Sequence, residues 1–239
     1  STVIGFFFGK LYGIPVVHTE RGAAHTESNS FLVRICAKII DHTAGRLVCR
    51  FSDGVIGVSD AACAFMRHLG ARNPVTVYNG IDVVWWCRSD GFLRNDSFFR
   101  IAFVGRLVHA KGVQDLFAAV KTLLPDFPSL RISIVGDGPY RAALEAQVRK
   151  LGIAHVTVFH GALEPAGVRD ILWQSDVFVN PSHSEGFPRS VLEAATAGMP
   201  IIATDVGGTR EIIEDGVSGI LVKKKNVALL ADALRKLMG

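Results

Sequence analysis

No Asp-x-Asp pair and no His-x-x-x-His occurs in this 239-residue chain, so the short-spaced patterns that gather carboxylates or imidazoles around a metal are missing. The four cysteines, Cys36, Cys49, Cys63 and Cys87, form no Cys-x-x-Cys, which argues against a zinc ribbon or a redox dithiol and predicts reduced thiols in a cytosolic protein. No Gly-x-Ser-x-Gly elbow supports a serine nucleophile. There is no charged tail: the net charge of +4 is shared equally by residues 1–97 and the remainder, which suits anionic ligands but falls short of a nucleic-acid footprint. The apolar opening stretch reaches Lys10 too soon for a span of about 20 residues and has neither a basic leader nor a cleavage site, so neither a membrane helix nor a signal peptide is predicted.

The chain is 49% hydrophobic with 24 glycines, enough to build one large domain or two modest ones. From Arg100 onward, short β-branched and aromatic runs alternate with amphipathic stretches, which predicts repeated βαβ units around a parallel sheet. The predicted strands are 101–104, 131–135, 156–159, 177–179, 200–204 and 220–222, and the predicted helices 113–124, 140–151, 166–173, 189–197 and 227–237. Before them, 15–18, 54–58 and 75–78 read as strands, with helices over 30–49 and 60–69, the second capped by Ser59 or Asp60. Residues 83–99 lose periodicity and gather turn formers, which predicts a linker there and domains of 1–90 and 91–239.

Three loops carry candidate chemistry. Strand 101–104 runs into Gly105-Arg106, with Lys111-Gly112 just beyond, so two cations follow the carboxyl end of a parallel strand and precede a helix, where α/β sheets bind ligands. A guanidinium, an ammonium and a helix N-terminus suit a diphosphate; taken alone, the pair also fits two solvated surface cations. Gly136-Asp137-Gly138 again follows a strand, and is either a ligand approach or a plain turn with Pro139 opening the helix. In the third, Glu185-Gly186-Phe187-Pro188 lies between a strand and a helix. Glu193, inside the apolar run Val-Leu-Glu-Ala-Ala-Thr-Ala-Gly, would lose hydration worth several kcal/mol unless donors replace it, as a polyhydroxylated ligand would. The plain alternatives are a helix-start acid at 185 and an outward-facing one at 193.

Gly105-Arg106-x4-Lys111-Gly112, Gly136-Asp137-Gly138, Pro181-Ser182-x-x-Glu185-Gly186-Phe187-Pro188, the Glu185-x7-Glu193 pair and Gly207-Gly208-x-x-Glu211 occur in this order. Together with Asn79-Gly80-Ile81-Asp82 they resemble glycosyltransferase family 4, retaining enzymes of the GT-B fold. The resemblance implies an α/β protein of two Rossmann-like doubly wound domains, the first only partial because the family's opening strand and glycine-rich loop are not seen before Ser1. It implies a nucleotide-activated sugar, UDP- or GDP-linked, as substrate and no separate cofactor. By the same resemblance Arg106 and Lys111 hold the diphosphate, Gly105, Gly136 and Gly138 lie at the donor site, Glu185 with the Gly186-Phe187 backbone holds sugar hydroxyls, and Glu193 bonds the ribose. Arg21 stands where many members have a histidine, and would contact sugar or acceptor. The acceptor would be a glycan, a polysaccharide precursor or a lipid-linked molecule. Two alternatives are a donor-binding module inactive by itself and a nucleotide-sugar epimerase of similar build.

Arg34, Lys38, His42, Arg46 and Arg50 recur every four residues through an apolar stretch. This stripe is either a solvated face or a peripheral contact with anionic lipid, which would place the protein in the cytoplasm at the inner membrane face.

Overall fold

The computed structural model describes residues 2–22, 30–88 and 97–238. It divides into two compact units, one of residues 1–80 with 184–188 and 207–211, the other of 81–183, 189–206 and 212–239.

The smaller unit opens with α1 (Thr2–Leu11) and carries a three-stranded parallel sheet of β1 (Val17–Glu20), β2 (Gly54–Gly57) and β3 (Val75–Thr76). β1 begins two residues later than expected, because its ladder starts at Val17 opposite Gly54. The expected helix over 30–49 is three pieces: α2 (Phe31–Ile40), a π turn at Asp41–Gly45, and α3 (Arg46–Phe51). Gly45 thus interrupts the α pattern without ending the helix. Ser30 caps α2 by accepting the Val33 amide, and Ser59 caps α4 (Asp60–His68) by accepting the Ala62 amide at 3.0 Å. Glu211 completes that second cap from 150 residues away: its carboxylate accepts the Asp60 and Ala61 amides at 2.8 and 2.9 Å. The core here is thin, formed by Cys49, Val55, Cys63, Met66, Leu69 and Ala71.

The larger unit is a six-stranded parallel sheet in the order β6-β5-β4-β7-β8-β9. Its strands are β4 (Phe99–Val104), β5 (Leu130–Val135), β6 (Thr157–Gly161), β7 (Val177–Asn180), β8 (Ile201–Thr204) and β9 (Ile220–Val222). This doubly wound order places the reversal of winding beside β4 and β7, the crevice position for ligands in such sheets. Alternation splits each central strand between two cores. Ile101 and Phe103 join Val177, Val179 and Ile202 on one face, beneath α6 (Val113–Leu123), α7 (Arg141–Leu151) and α10 (Val227–Met238). Ala102, Phe178, Ile201 and Ala203 face the other, beneath α8 (Pro165–Trp173) and α9 (Arg189–Thr196). Each fully buried Val, Ile or Phe side chain among these contributes about 1.5–3 kcal/mol.

The stretch expected as a linker holds a helical turn, α5 (Val83–Trp86), started by Asp82, whose carboxylate accepts the Trp85 amide. Trp86 is buried in the second core, and its carbonyl accepts the Trp173 indole N–H at 3.2 Å. The Arg169 guanidinium lies 4.6 and 4.7 Å from the Trp85 and Trp173 rings, which ties α5 to α8 by cation–π contacts. The expected boundary at 90/91 lies outside the described residues.

Candidate donor site

In the larger unit β4 delivers Gly105 and Arg106 at its carboxyl end. Arg106 is exposed, while Leu107 is fully buried and anchors the loop in the core. The Leu107 amide donates to the Asp137 carbonyl at 2.9 Å, and its own carbonyl accepts the Tyr140 amide at 3.0 Å, so the loops after β4 and β5 are bound into one structure. Gly136 is required for that union: it has φ of 126°, and a Cβ there would lie 2.0 Å from the Gly105 carbonyl oxygen. The Gly105 carbonyl therefore occupies the space that a side chain at 136 would fill. The Asp137 carboxylate accepts the Gly138 amide and pairs with Arg141 at 3.0 Å, and its carboxyl is held below the usual range by that amide first and by Arg141 second. Lys111 ends a 3-10 turn, His109–Lys111, and is half-buried just before α6.

Sequence patterning carries no sign of the side chains that hold this loop from beneath. His183, only 2% exposed, has Nε2 at 2.8 Å from Asp115 Oδ2, and its backbone amide donates to the Ala110 carbonyl at 2.7 Å. The Lys224 ammonium donates to the His183 carbonyl at 3.0 Å. Asp115 and His183 are 68 positions apart, and no spacing rule marks such a pair.

Glu193 stands on α9, where its side chain is 13% exposed. The Arg189 guanidinium, one helical turn earlier and itself 66% exposed, is 3.7 Å away, and among the described residues no other group donates to the carboxylate. Burial, opposed by Arg189, raises its carboxyl above the ordinary 4.5. An acid kept short of donors in an apolar helix face is ready to accept from hydroxyl groups.

In the smaller unit the 184–188 segment packs on the end of β1. Glu185 is buried at 8% exposure. Gly186 approaches β1's exit so closely that a Cβ would lie 1.7 Å from the Arg21 carbonyl, which leaves room for no other residue there. The Gly186 carbonyl accepts the Gly208 amide at 2.9 Å, the Phe187 carbonyl accepts the Asn79 side-chain amide at 3.1 Å, and the Phe187 ring lies 5.0 Å from that of Tyr78. Arg21 is exposed, so this unit gathers Arg21, Glu185, Gly186 and Phe187 around one backbone junction. Beside it, Glu20 accepts the Gly22 amide at 2.8 Å and His18 lies 3.8 Å from Glu20. Among the described residues no group of three or more His, Cys, Asp or Glu could hold a metal ion, and no helix is long and apolar enough to cross a membrane.

Comparison with known proteins addresses the family and the fold. The family described as glycosyl transferases group 1 matches residues 89–239. A glycogen synthase of Mycobacterium tuberculosis is 29% identical over 232 residues, 96% of this chain and 56% of that protein. A D-inositol 3-phosphate glycosyltransferase of Corynebacterium diphtheriae is 30% identical across the whole chain, which corresponds to 60% of its own length. The chain thus spans rather more than half of these curated relatives. Among solved structures, HepE of Anabaena in complex with UDP and glucose superimposes with a TM-score of 0.82 at 24% identity, over 99% of this chain and 65% of that one. Sucrose-phosphate synthase of Thermosynechococcus elongatus does so at 0.83 with 20% identity, over 99% and 62%. The matched family and the likeness of the parallel sheets to these solved structures make this chain a member of the group 1 glycosyl transferases, with the GT-B fold.

Proposed function

We propose that the chain serves a retaining glycosyltransferase that moves a hexosyl-type sugar from a nucleotide diphosphate to a glycan, a polysaccharide precursor or a lipid-linked acceptor, in the cytoplasm. One observation carries the reading: Arg106 and Lys111 flank a loop fixed at the carboxyl end of β4, beside the reversal of the sheet, immediately before α6. Two cations and a helix N-terminus meet a diphosphate with charge and with amide donors. The buried His183–Asp115 pair holds the same loop in place, so its cations need little reorganisation when phosphate arrives.

In this reading Glu193 accepts from ribose hydroxyls, Glu185 and the 186–187 backbone accept from and donate to the sugar, Gly105, Gly136 and Gly138 shape the donor loops, and Arg21 contacts sugar or acceptor. The bond from the anomeric carbon to the diphosphate breaks as the acceptor oxygen attacks from the same face. The departing phosphate oxygen takes the acceptor's proton, so the protein's part is to stabilise the leaving diphosphate and an oxocarbenium-like sugar, without a separate base or a dedicated metal site. The UDP and glucose complexes of HepE support a nucleotide-sugar donor of this class.

Calorimetric titration with UDP, GDP and ADP, with and without Mg²⁺, tests the assignment. One of the three should bind, and Arg106→Ala or Lys111→Ala should weaken it about 10- to 100-fold, the loss expected for one charge-assisted hydrogen bond of roughly 1.5–3 kcal/mol. Absence of binding by all three nucleotides, or unchanged binding in both variants, overturns the donor site. Binding without sugar transfer by the chain would favour the donor-binding module.

A further inference from the structure

We propose that α2, with the π turn and α3 that continue it, forms a contact surface for anionic lipid headgroups. This goes beyond the transfer reading and does not depend on it.

The first observation is exposure. α2 has no buried residue, and Phe31, Leu32 and Ile39 are 66%, 71% and 57% exposed. Ile35 joins them on one broad apolar arc, because positions 31, 32, 35 and 39 fall within about a third of the helix circumference at 100° per residue. Such a surface on a ten-residue helix requires a partner.

The second observation is the placement of charge. Arg34 and Lys38 lie on the flank of that arc next to Phe31, and α2 contains no acidic residue. Four-residue spacing drifts by about 40° per step on an α-helix, so the stripe that continues to His42, Arg46 and Arg50 would wind away from α2's flank. The π turn at Asp41–Gly45 opposes the drift. A π turn holds more residues per turn than an α turn, so it takes back part of the rotation and keeps the later cations nearer the same side. All five basic residues are exposed, and among the described residues Arg34, Lys38 and Arg46 have no carboxylate within ion-pair distance.

An apolar arc edged by exposed cations matches an interfacial helix that sinks its hydrophobic side between headgroups and presents its ammonium and guanidinium groups to phosphates. A second copy of the chain would bring the same cations together, which disfavours self-association through this face. A protein partner would have to supply carboxylates along the whole stripe, whereas an anionic bilayer supplies negative charge at every position.

Co-sedimentation of the chain with phospholipid vesicles tests the proposal. Vesicles containing phosphatidylglycerol should carry the protein down, and pure phosphatidylcholine vesicles should not. Binding should fall as salt is raised and be lost near 1 M, where the Debye length is about 3 Å. Removing two cations as Arg34→Gln/Lys38→Gln should weaken binding roughly thirtyfold. A second variant, Leu32→Ser/Ile39→Ser, should weaken it while leaving the charge unchanged. These side chains are exposed, so circular dichroism should match the parent chain. The proposal is overturned by absence of vesicle binding, by equal binding to neutral vesicles, by indifference to both variants, or by sedimentation that reveals self-association abolished by the Leu32→Ser/Ile39→Ser pair.

Discussion

Strand β4 of the larger unit is hydrogen-bonded along both edges and covered on both faces, whereas among the described residues β1 of the smaller unit pairs only with β2 and leaves Val17 59% exposed. Parallel strands gain most when helices cover both faces, and the larger unit meets that condition with two separate cores. The smaller unit has one small core and spreads apolar side chains across α1 and α2, with Phe7, Phe8 and Leu11 exposed as well. Among the described residues, burial is therefore concentrated around β4, and the smaller unit rests on a lighter frame.

That contrast can be broken by experiment. The three tryptophans, Trp85, Trp86 and Trp173, all lie in the larger unit, so their fluorescence reports on its unfolding alone, while circular dichroism reports on both units. Phe103→Ala should lower the stability seen by fluorescence by about 3–5 kcal/mol in urea titrations. Met66→Ala should destabilise only the part of the dichroism transition that fluorescence does not follow. If it moves the fluorescence transition as far as Phe103→Ala does, the two units unfold as one and the contrast fails. Glu211→Ala should release the Asp60 and Ala61 amides, speed their hydrogen exchange and remove about 1 kcal/mol from the smaller unit. Unchanged exchange at those two amides would refute the cap.

Two smaller effects carry the same sign in pH but different causes. His18 is pushed up to about 9 by the Cys49 side chain and by Glu20. Its stabilising contribution to the smaller unit is complete below 6.5 and is lost as pH rises through about 9, and His18→Gln should flatten that decline. Glu193 is raised instead by burial, so the folded larger unit favours the protonated acid and loses stability as pH climbs above 4.5 through the raised value. Glu193→Gln should accordingly raise Tm at neutral pH by about 2 °C while weakening nucleotide binding. A variant that is less stable than the parent would mean that the carboxylate has donors of its own and no need of a ribose.

The larger unit was legible in the chain because its strands are continuous apolar runs bounded by turn formers, and each expected strand lies within about two residues of the observed one. Two elements of the fold had no such signature. α1 carries Gly5 and Gly9 within an almost wholly apolar stretch and shows no polar face to give it a period. α5 is four residues long, too short for periodicity, and is held by the stacking of Arg169 on two indoles far along the chain. At the candidate site, the Arg106 and Lys111 loop was readable because a strand, a glycine and a helix follow in local order. The roles of His183, Asp115 and Glu211 were not, because each acts through a partner at least 68 positions away.

The Glu211 cap bears on the order in which the molecule is made. α4 begins at Asp60, yet two of its opening amides have no acceptor until a side chain 150 positions later reaches them. On the ribosome, those two amides must stay bound by water until Glu211 has emerged. The smaller unit therefore closes only after residues that follow β4 to β8 of the larger unit have been made.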